Sequence, residues 1–394
     1  MLNNHIHKQE VSGYAFHLPE RVWQGRGSVN MLGERLKAFK IIRPFIAIDP
    51  IVLQTDFGQR ALESIKGSTQ TFFIWNKIET NAPRSQVEHA ADALRSWEAD
   101  GIVAVGGGST IDLAKAASAI VSSGLTLDEL WSGKTIQGSF PPILAVPTTC
   151  GTGSEVNPFA LVLDTGSRRK RGLNNSSLIP REAFLDADSL DSLPSPLVAA
   201  TGFDALSHAM ESFVSITATP LTKCGCLGTV MAISKNILKA SNHRDPVALE
   251  YLLAGSTTAR LLYPRTGLTI AHAMSHPIGA YFNLHHGEAV ARATLPSLRY
   301  NAETSPLSYA EIARYLGIAG YQETNTLAVE ALAGWIEDLF KQLNLVQNPL
   351  PKLDNVENAI NAMAQDALRS SNIPSNPRSV GMDESVELLR RAVE

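Results

Sequence analysis

The chain has 394 residues, 44% of them hydrophobic and 18% charged, with a formal net charge of −4. That is enough for two domains of ordinary size, and the acidic balance excludes non-specific nucleic-acid binding, which needs a basic face. No apolar run is long enough to span a bilayer, MLNNHIHKQEVSGYAF lacks the apolar stretch of a secretory signal, and Cys150, Cys224 and Cys226 form no disulfide framework and read as buried free thiols, so a cytoplasmic protein is expected.

The first half alternates strands and helices. Short apolar runs predict strands at PFIAID (44–49), TQTFFIW (69–75), GIVAVG (101–106), PPILAVPT (141–148) and FALVLD (159–164). Between them, Val87, Ala91, Leu94 and Trp97 recur at helical spacing, as do Ile111, Ala114 and Ala119. Apolar strands alternating with helices predict a parallel sheet covered on both faces. The basic run Arg168 to Arg171 after FALVLD reads as a solvated hairpin edge. The pattern changes near residue 190. Ser195 is placed as a helix N-cap with Pro196 at the first helical position. Helical segments then follow one another, among them CGCLGTVMAISKNILKA, NTLAVEALAGWIEDLFKQL, NVENAINAMAQDAL and DESVELLRRAV. The expected division is an α/β dinucleotide-binding domain over 1–190 and an all-helical domain over 191–394.

Two loops of the first half suit phosphate chemistry. Gly106, Gly107 and Gly108 follow a buried strand, and Ser109 opens a helix whose free N–H groups and positive dipole end favour a phosphate. This is not the G-x-G-x-x-G fingerprint, so by itself it is equally a plain tight turn. PTTCGTGSEV (147–156) offers the hydroxyls of Thr148, Thr149 and Thr152 with glycines between them. Two such loops at strand ends together favour a nucleotide crevice. Asp49 closes its strand either as an acceptor for an adenosine ribose, favouring NAD over NADP, or as a turn aspartate before Pro50.

In the helical half, Asp204 and His208 are four apart in TGFDALSHAMESFVS and share a helix face. His272 and His286 lie in AHAMSHPIGAYFNLHHGEA together with His276 and His285. One carboxylate and three imidazoles suit Fe(II), Zn(II) or Ni(II) rather than calcium or magnesium, and leave room for a substrate oxygen.

Taken together, GRGSVNMLGERL, GGGSTIDLAKA, PTTCGTGSEV, TGFDALSHAMESFVS, AHAMSHPIGAYFNLHHGEA and NPRSVGMDESVELL resemble the iron-containing (group III) alcohol dehydrogenases along nearly the whole chain. The resemblance implies the dehydroquinate-synthase-like architecture, with the nicotinamide and the metal meeting in a cleft between two domains. It implies Asp204, His208, His272 and His286 as metal ligands. Gly106 to Ser109 with Thr148, Thr149 and Thr152 become contacts to the pyrophosphate and ribose of NAD(H), and Asp49 matches the adenosine-ribose position. Asn81 falls in another loop lining the cofactor cleft, and Lys170 resembles a lysine near the nucleotide ribose. His276 matches a histidine beside the nicotinamide, a candidate proton relay or an orienting group. The implied reaction is hydride transfer between NAD(H) and a short-chain primary alcohol or its aldehyde, by a homodimer or higher homo-oligomer. One departure stands out in STTARLLYPRTGLTIAH. Arg260 or Arg265, if turned into the cleft, would clamp a carboxylate, sulfonate or phosphonate tail; otherwise both are surface arginines. The alternatives from other classes are a dehydroquinate-synthase-like lyase, which recycles NAD within one turnover, and a non-catalytic NAD sensor.

Overall fold

The computed structural model describes residues 16–394 apart from 70, 168 and 354, and apart from the side chains of Pro264 and Arg265. The expectations for the N-terminal segment, for Arg168 and for the Arg265 side chain therefore fall outside the described residues.

Six strands form one parallel sheet: β1 (Arg21–Gln24), β2 (Pro44–Ile48), β3 (Phe73–Trp75), β4 (Gly101–Gly106), β5 (Ile143–Pro147) and β8 (Glu182–Leu185), in the order β1-β8-β5-β4-β2-β3. Strand period two divides its side chains between two cores. Ile46, Ile48, Val103, Val105, Leu144 and Val146 pack on one face with Leu32 and Leu36 of α1 (Leu32–Ala38) and with Phe57 and Ala61 of α2 (Asp56–Lys66). Phe45, Ala47, Ile102, Ala104, Ile143 and Ala145 pack on the other with Leu94 of α3 (Arg84–Ser96) and with Ile111 and Ala114 of α4 (Gly108–Ser123). Both faces are covered, which is why these strands read as continuous apolar runs.

From β2 the chain runs outward to β3, and from β4 it runs the other way to β5. The direction of winding reverses between β2 and β4. Ligands of such sheets bind at the carboxyl ends of the strands flanking that reversal. Asp49 follows β2 there, and the glycine turn follows β4.

FALVLD departs from expectation. It forms β6 (Phe159–Asp164), which pairs antiparallel with β7 (Arg169–Asn174) in a separate two-stranded hairpin rather than joining the parallel sheet. Arg169, Lys170 and Arg171 open the second strand of that hairpin. Arg169 pairs with Asp366, and the Arg171 guanidinium lies 4.4 Å from the Trp131 ring centre. The sheet positions not anticipated are β1 and β8. Both are only four residues long, and β8 carries a fully buried glutamate.

No strand lies beyond residue 185 among the described residues. α6 (Ser195–Val214) is followed by α7 (Pro220–His243), α8 (Pro246–Thr266), α9 (Ile270–Phe282) and α10 (His286–Ala302). Pro194, not Ser195, occupies the N-cap of α6, and no side chain caps it, so Pro196 sits one position further into the first turn than expected. Phe203, Ile233, Leu252 and Leu332 contribute to one helical core, and α9 packs into a second with the C-terminal helices. Of the cysteines, Cys150 and Cys226 are buried, but Cys224 is exposed, because it falls on the outward face of α7. No helix of the described residues is long and apolar enough to cross a membrane.

Glu182 locks the sheet edge. Burial alone would raise its pKa, but hydrogen bonds from Arg35, Trp23 and Arg21 outweigh that and hold the carboxyl below its ordinary range. The Arg35 guanidinium donates at 2.8 and 2.9 Å, the Trp23 indole at 2.8 Å and Arg21 at 3.0 Å. Glu182→Gln is expected to lower unfolding stability in urea by about 1–3 kcal/mol. A carboxylate with a depressed folded-state pKa contributes stability above its unfolded pKa. The gap between wild type and variant should therefore be full above roughly pH 5 and close as the pH falls toward the folded-state value. A gap that widened in acid would overturn this assignment.

Candidate functional site

The cofactor-side loops are packed directly on one another. A Cβ on Gly107 would lie 3.0 Å from Thr149 Cγ2, and one on Gly108 would lie 2.8 Å from Thr152 Cγ2. The turn after β4 therefore touches the threonine loop with backbone alone. Gly107 is the N-cap of α4 and no side chain caps that helix, so its first N–H groups stay open at the crevice. Thr148 is buried, and its N–H donates to Gly106 O at 3.1 Å. Asn81 adopts a left-handed backbone (φ 69°) and donates its N–H to Ser109 Oγ at 2.9 Å, which ties that loop to the glycine turn. Asp49 Oδ1 accepts the N–H groups of Ile51 and Val52 at 2.8 and 3.2 Å, so one oxygen serves the turn. Gly106, Gly107, Gly108, Ser109, Asn81, Thr148, Thr149 and Thr152 thus lie together at one end of the sheet. The open helix terminus and the glycine backbone fit a dinucleotide pyrophosphate.

The metal-type side chains converge as well. Asp204, His208 and His272 are buried, and their ligand atoms all lie within 4.8 Å of one another. Around Asp204 Oδ1, the Nε2 atoms of His272, His286 and His208 stand at 3.2, 3.7 and 4.0 Å. The rings nest: His208 stacks on His272 at 4.5 Å, His272 meets His286 edge-on at 5.6 Å, and His286 stacks on His276 at 5.5 Å. α6 supplies Asp204 and His208 one turn apart, the first turn of α9 supplies His272, and α10 starts at His286. His285 is the α10 N-cap and accepts Gly287 N–H on Nδ1 at 3.2 Å. Gly287 lets this terminus press onto α6, since a Cβ there would stand 2.1 Å from Ala200 O. The buried His208 Nδ1 has no hydrogen-bond partner. One carboxylate and three imidazoles, closely grouped and partly unsatisfied, fit a divalent transition metal.

Glu211, not singled out in the sequence, holds this group in place. It follows His208 by three residues on the same face of α6. Its Oε1 accepts Ser207 Oγ at 2.6 Å and lies 2.5 Å from His272 Nδ1. Its Oε2 accepts Thr269 N–H at 2.8 Å and Thr269 Oγ1 at 2.6 Å. Burial opposes the charge, but the charge of His272 and these bonds override it and take the Glu211 pKa down to about 2. A carboxylate can only accept, so Nδ1 of His272 carries the proton and Nε2 faces Asp204. Burial pulls the His272 pKa down, and Glu211 and Asp204 together raise it to about 9. Burial takes His208 and His286 well below the ordinary histidine range.

His276 and Lys170 are both exposed and stand near the Asp/His group, His276 through its stack on His286 and Lys170 close enough to act on both rings. The surroundings push His276 down, helped by the charge of Lys170, and push Lys170 down against the attraction of Asp112 and Asp204. Arg260 is turned inward rather than to the surface. Its Nη1 lies 3.5 Å from His208 Nε2, and its guanidinium lies 4.4 Å from the Tyr263 ring centre.

An open parallel sheet with a phosphate-type crevice, joined to helices that gather an Asp/His metal set, defines a dinucleotide- and metal-dependent enzyme. Residues 19–187 match the family model of the iron-containing alcohol dehydrogenases, and residues 198–393 match the model of that family's C-terminal part. Lactaldehyde reductase of Escherichia coli K12 is 31% identical over 385 residues, covering 95% of this chain and 98% of its own. Among solved structures, a 1,3-propanediol oxidoreductase superposes with a TM-score of 0.91 at 26% identity, covering 96% of this chain and all of its own (100%). The alcohol dehydrogenase of Oenococcus oeni superposes with a TM-score of 0.90 at 27% identity, with the same coverage (96% and 100%). The chain belongs to the iron-containing alcohol dehydrogenase family. It is an alcohol/aldehyde oxidoreductase, and its reagents are NAD(H) and a divalent metal.

Glu211→Gln keeps the shape but loses the charge that orients His272. It is expected to weaken metal binding about 10- to 100-fold in an anaerobic Fe(II) or Zn(II) titration. Unchanged affinity would leave Glu211 a purely structural group.

Proposed function

We propose that this protein interconverts a short-chain primary alcohol and its aldehyde by hydride transfer with NAD(H), with Asp204, His208, His272 and His286 holding the metal. The observation that carries the reading is the convergence of three imidazole Nε2 atoms on Asp204 Oδ1, at 3.2 to 4.0 Å. When bound, the metal supplies Lewis acidity toward the substrate oxygen. The chain's own residues do the rest. Gly106, Gly107, Gly108, Ser109, Thr148, Thr149 and Thr152 seat the pyrophosphate and ribose, with Asn81 bracing the glycine turn and Lys170 near the nucleotide ribose. His276, neutral in its position beside His286, relays a proton between the substrate oxygen and solvent. The carboxylate of Asp49 receives the adenosine ribose and repels a 2′-phosphate, so NAD(H) is preferred over NADP(H). We assign residues 1–190 to a cofactor domain and 191–394 to a metal domain, in a cytoplasmic homodimer or higher homo-oligomer.

The direct test is NADH consumption, followed anaerobically with Fe(II) against glycolaldehyde and propanal. Net oxidation with equimolar alcohol formation is expected. NADH that is bound but never consumed would favour the lyase or sensor readings instead. His208→Ala should lower kcat/KM at least about 100-fold through loss of the metal, as seen by metal analysis of the same sample. Asp49→Ser should narrow the preference for NADH over NADPH, as read from the ratio of their kcat/KM values. A ratio left where it was would return Asp49 to the turn alone.

A further inference from the structure

We infer that Arg260 is a substrate-binding residue that selects short aldehydes, and the matching alcohols, carrying an oxyanionic tail: a carboxylate, sulfonate or phosphonate. This rests on the oxidoreductase reading above and adds the substrate class to it.

The inference begins with the path of the side chain. Arg260 leaves α8 and crosses the threonine loop at Gly153. That glycine has a left-handed backbone (φ +53°), and a Cβ there would stand 2.3 and 2.4 Å from Arg260 Cγ and Cβ. The loop is shaped around the arginine stem, and only a glycine leaves that passage open. Beyond it, the guanidinium lies over the Tyr263 ring, which is itself packed 5.8 Å from Phe159. A guanidinium backed by an aromatic face is held flat, with its N–H fork free to point along the ring.

Among the described residues no carboxylate forms an ion pair with the guanidinium. Its Nε is buried without a partner, and its Nη1 stands 3.5 Å from His208 Nε2. Three acids lie close enough to act on it electrostatically, Asp112, Glu155 and Asp204, but none contacts it, and Asp204 is engaged by His272 Nε2 at 3.2 Å. Asp112 Oδ2 accepts Leu161 N–H at 3.1 Å, and Glu155 Oε1 accepts Thr257 Oγ1 at 2.7 Å. Burial pushes the Asp112 and Glu155 carboxyls toward the neutral form, while the neighbouring histidines keep Asp204 charged despite its burial. A permanent cation in a partly desolvated cleft, without a contacting anion, is costly. An anionic ligand relieves that cost, and a planar fork matches two oxyanion oxygens at once.

Position sets the length of the spacer. Arg260 adjoins His208, one of the side chains grouped around Asp204. A tail held by the guanidinium sits beside a carbonyl directed at that group, so the spacer is short, on the order of one or two carbons. The reaction balances with the tail as a spectator. Hydride and its electron pair pass from NADH to the carbonyl carbon, the C=O π pair moves to oxygen, and oxygen takes one proton, giving the alcohol and NAD⁺.

The test compares, in the metal-loaded enzyme with NADH, the ratio of kcat/KM for sulfoacetaldehyde over propanal in wild type, Arg260→Gln, Arg260→Lys and Arg265→Gln. Wild type should prefer the anionic aldehyde. The ratio should fall about 100-fold in Arg260→Gln, partly recover in Arg260→Lys and stay near wild type in Arg265→Gln. Calorimetry of 2-hydroxyethanesulfonate against 1-propanol gives a readout independent of turnover, with sulfonate binding lost in Arg260→Gln. A wild-type preference for propanal, or an anionic preference that survives Arg260→Gln, would overturn the inference. Loss of the preference in Arg265→Gln with Arg260→Gln unaffected would also overturn it. If no aldehyde oxidises NADH, the oxidoreductase reading fails, and the calorimetry alone then decides for or against an oxyanion site at Arg260.

Discussion

The buried carboxylate of Glu211 is the interaction on which the site depends. A charge at that depth is tolerable only if donors surround it. The donors come from its own helix through Ser207 and from the start of α9 through Thr269 and His272. Satisfying the carboxylate therefore fixes three things at once: the contact of α6 with the α9 terminus, the orientation of the His272 ring, and the nitrogen that carries its proton. His272 Nε2 is then turned to Asp204, with His208 stacked on the His272 ring and His286 meeting it edge-on. Gly287, by allowing α10 to touch α6, brings His286 within the same reach.

The cofactor side obeys a different constraint. A parallel sheet buried on both faces leaves only its strand ends for chemistry. The reversal between β2 and β4 leaves a crevice there, and backbone fills it: the glycine turn, the threonine loop against it, and the Asn81 loop bonded to Ser109. Because the loops touch through glycine backbone and threonine methyls, a small change in one moves the other. A side chain added at Gly107 or Gly108 would press on the Thr149 or Thr152 side chain.

Much of this was readable from residue order, and the rest was not, for physical reasons. The continuous runs of β2, β4 and β5 mark strands covered on both faces, and the spacing of Asp204 and His208 puts them on one helix face. Helices such as α7 and those over 325–343, 356–368 and 382–393 follow their apolar spacing. β1 and β8 escaped because four residues carry too little pattern, and a buried glutamate in β8 contradicts the usual apolar signature. FALVLD has the composition of a sheet strand, but its partner is set by the turn that follows it, which composition does not encode. Glu211 lay on the same face as Asp204 and His208, and its spacing was available. It is not legible as a site residue because it acts only through the ring it holds, at His272 Nδ1. The direction of Arg260 depends on the rotation of α8 against the threonine loop, a tertiary fact.

The threonine loop must also be rigid relative to the helices if cofactor and substrate are to meet in register, since misplacement of reacting groups by even an ångström is costly. Buried polar groups supply that rigidity. Lys115, fully buried on α4, donates to Asn157 O at 2.8 Å and Phe159 O at 3.0 Å. Burial lowers its pKa to about 8 despite Asp112 and Glu155. Asn157 Nδ2 in turn donates to Gly153 O at 2.8 Å, and Glu155 is tied to Thr257 on α8. The loop is thus bonded on one side to the helix whose terminus faces the crevice, and on the other to the helix that carries Arg260. Gly153, in the middle, is both the acceptor for Asn157 and the gap through which Arg260 passes. The same few residues therefore join the helix that opens on the phosphate-type crevice to the helix that carries Arg260.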